Sequence, residues 1–263
     1  MTSTSSPPGW IVERRRRDLL YVRQDVLDAL RGAGLGSADD WRNLLERAPG
    51  GTGRGATARL ELLVGPRVVV KKMRRGGLAA RLWRDRFAGT RRLLANLTVA
   101  EEAKRRGIAT PAPVALCLRA DGLGLYQAWL MIEEIARARD LLSVFKEGAP
   151  PPGVLEAAMG LVRRMHDAGL HHRDLNLGNL LVREEPPGTR EAFVIDLDRA
   201  VLRPGPLDDG ARLRALLRLE RSYVKHVGAP GPLGDDAHSV WLALYTGDDA
   251  DLARRLEAAR RAS

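Results

Sequence analysis

At 263 residues, with 44% hydrophobic and 29% charged residues, the chain holds enough apolar material for a large core and is not a disordered or fibrous sequence. A net charge of +10, carried mainly by arginine, suits an anionic partner or reflects solvated basic faces with no special partner. No run of ~18 apolar residues is present, so no membrane-spanning helix is expected, and the single cysteine, Cys117, excludes an internal disulfide framework and a Cys-based zinc site.

Residues 1–9 are polar and proline-containing, lack the apolar stretch of a secretory leader, and are expected to be disordered. Residues 10–48 contain the basic run Arg14–Arg17 and a predicted helix, Gln24–Leu30, ended by Gly32-Ala33-Gly34. Pro49–Gly55 then brings four glycines in seven residues. Ala58–Val64 and Arg67–Met73 flank Gly65-Pro66 and predict a hairpin. Arg92–Arg106 predicts a helix with Leu93, Leu97 and Ala100 on one face, stopped by Gly107. Pro111 and Pro113 open the next stretch, where the apolar run Val114–Leu118 makes Cys117 a buried structural thiol. Leu123–Ile135 predicts a strand whose end divides the chain into lobes, residues 10–135 and 136–263. Val154–Ala168 is amphipathic through Ala158, Leu161, Val162 and Met165, and residues 208–227 and 236–260 predict two more helices. No internal repeat is visible.

His172-Arg173-Asp174-Leu175-Asn176-Leu177-Gly178-Asn179, followed by Val194-Ile195-Asp196-Leu197-Asp198, carries the chemistry. Moving a phosphoryl group from ATP to a hydroxyl needs an acceptor for the hydroxyl proton and oxygen ligands for Mg²⁺. An Asp, an Asn five positions later and a second Asp at the end of a following strand meet that need. Asp174 is the candidate base, with Asn179 and Asp196 as candidate metal ligands. A His-Arg-Asp tripeptide recurs by chance, but here apolar runs bracket it: Leu180–Val182 and Phe193–Ile195 enclose Pro186-Pro187-Gly188 and predict a hairpin carrying these groups. His172 is read as a brace for the loop. Asp198 is either an accessory ligand or a turn cap, and His166, His171 and His172 lack metal-ligand spacing.

Upstream, Gly51, Gly53, Arg54 and Gly55 form a candidate phosphate-covering loop, where missing side chains let backbone N–H groups approach closely. Lys71, after Val68-Val69-Val70, is placed to neutralise phosphates, whereas Lys72 alternates to the opposite face and is expected to be solvated. Glu101 or Glu102 is expected to hold Lys71, with Glu101 preferred. Backbone groups of Glu133 and Ile135 are expected to meet an adenine edge. Glycine loop, hairpin, helix, strand and catalytic hairpin follow the order of an α+β, two-lobed protein-kinase-like fold, with a small β-rich N-lobe and a mostly helical C-lobe.

At these residues the chain resembles the lipopolysaccharide core kinases, most closely those acting on 3-deoxy-D-manno-octulosonic acid (Kdo). The resemblance rests on the basic segment Met73–Leu82, on Gly107-Ile108-Ala109-Thr110-Pro111-Ala112-Pro113-Val114, and on His166-Asp167-Ala168-Gly169 leading into the loop. Ile195-Asp196-Leu197-Asp198-Arg199 and the Arg/Leu-rich stretch Arg212–Lys225 extend it, so that it covers residues 50–225. Two departures are Arg173, where the family often has a small residue, and Asn96, near the position of an acid in the first-lobe helix. The resemblance implies ATP- and Mg²⁺-dependent phosphorylation of a sugar hydroxyl, Kdo or heptose, on a lipid A precursor. It also implies an anionic glycolipid partner and a cytoplasmic protein, peripheral at the inner membrane. Arg74–Arg92 would face the glycolipid, with Trp83 and Phe87 touching its apolar part.

A protein serine/threonine kinase would share the core residues, but no Gly follows in Asp196-Leu197-Asp198 and no long segment closes in Ala-Pro-Glu. An aminoglycoside-type phosphotransferase is a second enzyme alternative, and a pseudokinase binding module a non-enzymatic one. No nucleic-acid partner is expected, because the basic runs lack interleaved aromatics for base stacking. The sequence carries no signal for oligomeric state.

Overall fold

The computed structural model describes residues 7–48, 57–74, 85–185, 188–228, 231–234 and 236–262. Gly51, Gly53, Arg54 and Gly55 lie outside the described residues, as do Trp83 and most of the basic segment. The chain divides into two compact units, residues 1–101 with 111–134 and residues 102–110 with 135–263. The first unit ends at Glu134, and Glu102–Thr110 groups with the second unit.

The first unit is built on an antiparallel sheet. β1 (Trp10–Arg15) and β2 (Asp18–Arg23) form a hairpin turned at Arg16, whose φ is +50°. No strand was expected there, because the run Arg14–Arg17 hides the alternation of apolar positions. The stretch predicted as one helix from Gln24 begins as a 3-10 turn, Gln24–Val26, and continues as α1 (Leu27–Gly32). α2 (Ala38–Arg47) starts at a reciprocal cap: the Ser37 hydroxyl accepts from the Asp40 amide, and the Asp40 carboxylate accepts from the Ser37 amide at 2.8 Å. β3 (Thr57–Glu61) and β4 (Arg67–Lys72) pair as the hairpin expected around Gly65-Pro66. β5 (Phe87–Ala88), α3 (Arg91–Arg105), β6 (Pro113–Ala120) and β7 (Leu125–Glu133) follow. The sheet order is β1-β2-β6-β7-β4-β3, with β5 beside β7.

Apolar layers cover both faces of this sheet. Val68, Val70, Trp129 and Met131 pack with Trp41 and Leu45 of α2, and Leu116, Leu118 and Leu130 pack with Phe87 and with Leu93 and Leu97 of α3. A strand buried on both sides has no polar alternation, which is why β6 reads as a continuous apolar run. Cys117 lies inside it, and burial pushes its thiol far above the ordinary range, consistent with a structural role. Two expectations fail here. Phe87, placed at a glycolipid contact by resemblance, is 1% exposed and belongs to the core. Lys72 is not simply solvated: its ammonium pairs with Asp85 at 3.3 Å and sits over the Trp129 ring.

The second unit begins with β8 (Arg139–Asp140), α4 (Leu141–Glu147) and α5 (Val154–Asp167). The predicted face of α5, Ala158, Leu161, Val162 and Met165, is fully buried. β9 (Leu170–His171) pairs with β12 (Val201–Leu202), while β10 (Leu180–Glu185) pairs with β11 (Thr189–Val194) from Leu180↔Val194 to Glu185↔Thr189. α6 (Asp209–His226), α7 (Ala237–Thr246) and α8 (Ala250–Arg261) complete it. The single helix expected over 236–260 is broken at Gly247, φ +55°, and the Asp249 side chain caps the next helix by accepting from the Leu252 amide. Edge-on contacts among Phe145, Tyr223 and Trp241 join α4, α6 and α7, with centroids 5.1 to 6.2 Å apart.

One buried ion pair ties the first unit's sheet to α2. Arg119 of β6 donates to both Asp18 oxygens at 2.7 and 2.9 Å and to Asp39 at 2.6 Å, while Asp18 also accepts from the Ala38 amide. Asp18→Ala leaves Arg119 and the α2 N-terminus short of an acceptor. The expected cost is about 3 kcal/mol, read as a lowered urea midpoint; an unchanged midpoint would show that Asp39 alone compensates.

Candidate active site

The loop His172–Asn179 and the segment Ile195–Asp196 both belong to the second unit. β9 delivers the chain to the loop, and the β10–β11 hairpin leaves it and returns at Asp196. Leu175, Leu177, Leu180 and Val194 are fully buried, so apolar anchors alternate with the polar groups they hold outward. The loop closes in a 3-10 turn, Leu177–Asn179, capped by Asn176, whose Oδ1 accepts from the Gly178 amide at 2.9 Å. The Ser222 hydroxyl of α6 accepts from the Leu177 amide at 3.3 Å. Asn176 and Ser222 had no assigned task in the sequence; an Asn two residues before Gly is the signal that would have marked the cap.

His172 braces the loop, as expected, through two bonds that also determine its tautomer. The Asp174 amide donates to Nδ1 at 3.2 Å, so Nδ1 carries a lone pair and the proton sits on Nε2. Nε2 then donates to the Ile195 carbonyl at 3.0 Å. Burial holds this imidazole below its ordinary pKa, in keeping with a neutral ring that has both nitrogens used. The Ile195 amide in turn donates to the Asn179 carbonyl at 3.0 Å. The loop that carries Asp174 and the segment that carries Asp196 are thereby cross-linked at two places.

The Asn179 amide nitrogen donates to the Asp174 carbonyl at 2.9 Å, and Asn176 donates to the same oxygen. This turns Oδ1 of Asn179 away from the loop backbone as an oxygen ligand. Asp196, two residues past the end of β11, stands at the N-cap of the 3-10 turn Leu197–Arg199 at φ +63°, ψ +57°, a left-handed conformation that few residues with a side chain adopt. Such strain clusters at functional positions. A carboxylate and an amide oxygen are hard donors, and Mg²⁺ is commonly held by one or two protein oxygens together with substrate phosphates. Asn179 and Asp196 fit that ion. Among the described residues no group of three or more His, Cys, Asp or Glu gathers as a cage for another metal.

The approach to the loop is rigid. Gly169, φ +81°, leaves so little room that an added Cβ would lie 2.5 Å from the Gly205 carbonyl and 2.6 Å from that of Arg203. His166, fully buried, sits one turn earlier. Arg212 donates to the Tyr245 hydroxyl at 2.9 Å, and that hydroxyl is hydrogen-bonded to His166 Nδ1 at 2.8 Å. Arg212 also pairs with Asp167 at 2.7 Å. Burial, with the nearby Arg212 charge, pushes the His166 pKa down to about 3.

The remaining candidates lie on either side of the unit boundary. Lys71 pairs in register with Leu130, on the sheet face that α3 covers. Glu101 of α3 accepts from the Trp10 indole nitrogen at 2.5 Å, and Asn96 donates to the Arg92 and Leu93 carbonyls. The Glu133 amide donates to the Ala112 carbonyl at 2.8 Å and its carboxylate pairs with Arg23 at 2.7 Å, so this N–H is already committed to the sheet. Ile135, in the second unit, accepts from the Ala138 amide at 3.3 Å.

Residues 46–240 match the lipopolysaccharide kinase (Kdo/WaaP) family. A 3-deoxy-D-manno-octulosonic acid kinase of Xanthomonas campestris pv. campestris (strain B100) is 36% identical over 214 residues, 79% of this chain and 80% of the relative. One of Vibrio cholerae serotype O1 is 32% identical over 181 residues, 67% and 73% of the two chains. The solved structure of WaaP in complex with acyl carrier protein superposes with a TM-score of 0.50 at 24% identity, covering 79% of this chain and 84% of that one, a likeness of fold.

His172→Ala orphans the Asp174 amide and the Ile195 carbonyl, with an expected loss of about 1–3 kcal/mol in chemical denaturation. Stability is also expected to depend on acid. Unfolded His166 and His172 take up protons near 6.5, whereas folded His166 resists until about 3 and His172 is also shifted down. Their contribution is present above 6.5 and is lost as pH falls below it, by up to ~1.4 kcal/mol per pH unit for each ring. Urea midpoints that stay level between about pH 7.5 and pH 5 would contradict the neutral, buried assignment.

Proposed function

The chain belongs to the lipopolysaccharide kinase (Kdo/WaaP) family, and on that footing we propose that it transfers the terminal phosphoryl group of ATP to a hydroxyl of an inner-core sugar on a lipid A precursor. Kdo is the first choice of acceptor, since the named relatives are Kdo kinases, and heptose the second. The observation that carries this reading is the Asn179 amide bonded to the Asp174 carbonyl, within a loop cross-linked to the segment that leads into Asp196.

Asp174 is exposed at the loop surface, where its carboxylate orients the acceptor hydroxyl and takes its proton. Asn179 and Asp196 would hold Mg²⁺, which when bound neutralises charge on the phosphates. Lys71 is assigned to neutralise phosphate charge, with Glu101 as its partner, and the backbone near Ile135 is assigned to the adenine. Gly51, Gly53, Arg54 and Gly55, outside the described residues, are assigned to the phosphates by their sequence alone. The protein acts at the cytoplasmic face of the inner membrane as a peripheral protein; no helix among the described residues is long and apolar enough to cross a bilayer.

A protein substrate is disfavoured by the short path after the metal strand. Asp196 is followed by a 3-10 turn, Leu197–Arg199, the two-residue β12 and then α6 from Asp209, which leaves no long segment to receive a peptide. Radiolabelled ATP offered with Kdo–lipid A, heptosylated core, an aminoglycoside and a generic protein tests the assignment. Label is expected in the Kdo acceptor, and Asp174→Ala is expected to lower kcat by about 10²–10⁴ with ATP binding retained. Label confined to protein or to the aminoglycoside would overturn it.

A further inference from the structure

We propose that the surface of α6 beside the catalytic loop is an oxyanion subsite, in which Arg173, Arg214 and Arg218 hold an acidic group of the acceptor next to the hydroxyl being phosphorylated. The proposal rests on the sugar-kinase reading and adds to it the means by which the acceptor is gripped.

The placement follows from helix geometry. Arg214, Arg218 and Ser222 are spaced four apart, so they form one stripe along α6. Ser222 at the end of that stripe receives the Leu177 amide, which pins the stripe to the loop. The two arginines therefore run back along the loop toward its start. Burial lowers the basicity of His171 and His172 most, and the charges of Arg203, Arg173, Arg218 and Arg214 at His171 and of Arg218 at His172 add to it, in keeping with this placement.

Many arginines of this protein are held by carboxylates, as Arg119, Arg163, Arg183 and Arg212 show. Within this cluster Arg203 pairs with Asp208 at 3.1 Å and the Arg214 charge also acts on Asp208, whereas Arg173 and Arg218 are in no ion pair among the described residues. Like charges held this close repel one another, a cost that a bound anion reduces. Guanidinium groups bind phosphate and carboxylate through paired, charge-assisted hydrogen bonds, and both anions share that chemistry. The site lies on the same loop as Asp174, so a group gripped there positions a neighbouring hydroxyl.

The test uses the double variant Arg214→Gln/Arg218→Gln and a water-soluble, de-O-acylated Kdo–lipid A acceptor. KM for the acceptor is expected to rise about tenfold or more, the loss of at least one charge-assisted contact, with KM for ATP unchanged. Removing the acceptor's phosphates, or converting its carboxylate to the amide, identifies the anion: the variant's defect disappears with whichever derivative lacks the gripped group. An unchanged KM, or a defect that persists on both derivatives, overturns the subsite. So does a defect confined to binding of anionic phospholipid vesicles, which would make the stripe a membrane contact. Phenylglyoxal labelling of the unaltered protein reads the site without turnover. Inorganic phosphate is expected to protect Arg214 and Arg218 in peptide maps, and absence of protection counts against the subsite even if no sugar is phosphorylated. Protection without any labelled sugar would instead sink the acceptor assignment while leaving the anion site standing.

Discussion

A single neutral imidazole holds the loop of Asp174 to the segment that leads into Asp196. His172 is buried and accepts the amide proton of Asp174 on one side while donating to the Ile195 carbonyl on the other. Only the form protonated on Nε2 can do both, because a second ring proton would meet the Asp174 N–H head-on. Burial favours this uncharged form, and the Ile195–Asn179 backbone bond doubles the link. The candidate oxygen donors Asp174, Asn179 and Asp196 are thus held by backbone bonds within one unit, the kind of fixed geometry on which preorganised catalysis relies.

The charge balance of the protein can be understood in the same structural terms. Part of its arginine is absorbed by pairs that fasten secondary structures: Arg119 to Asp18 and Asp39 in the first unit, Arg212 to Asp167 and Tyr245 in the second. These groups have fixed tasks and neighbours that satisfy them. Arg214 and Arg218 differ in standing on the helix pinned to the loop by Ser222, the surface that we propose grips an anionic acceptor.

Much of this organisation was legible where the determining contacts are close in sequence. The spacing of Asp174, Asn179 and Asp196, the hairpin at Gly65-Pro66, and the buried faces of α3 and α5 all follow from local period and turn chemistry. What escaped depends on distant partners. The β1–β2 hairpin is hidden by a run of arginines whose side chains diverge only once the strands pair. Phe87 looked available for lipid because its neighbours are basic, yet it is buried under α3. Lys72 is restrained by Asp85 and Trp129, neither adjacent to it in sequence. The break between α7 and α8 turns on one glycine in a left-handed conformation, which helical periodicity alone does not reveal.

Gly169 shows how far the reactive centre depends on space that holds nothing. With two carbonyl oxygens inside 2.6 Å of where a β-carbon would stand, and φ at +81°, even alanine must wedge the Leu170–His171 ribbon from its partner strand. That ribbon is the last regular structure before Asp174, so the wedge reaches the loop that carries the proposed base. A single methyl group, neutral in charge, would act there through the backbone alone.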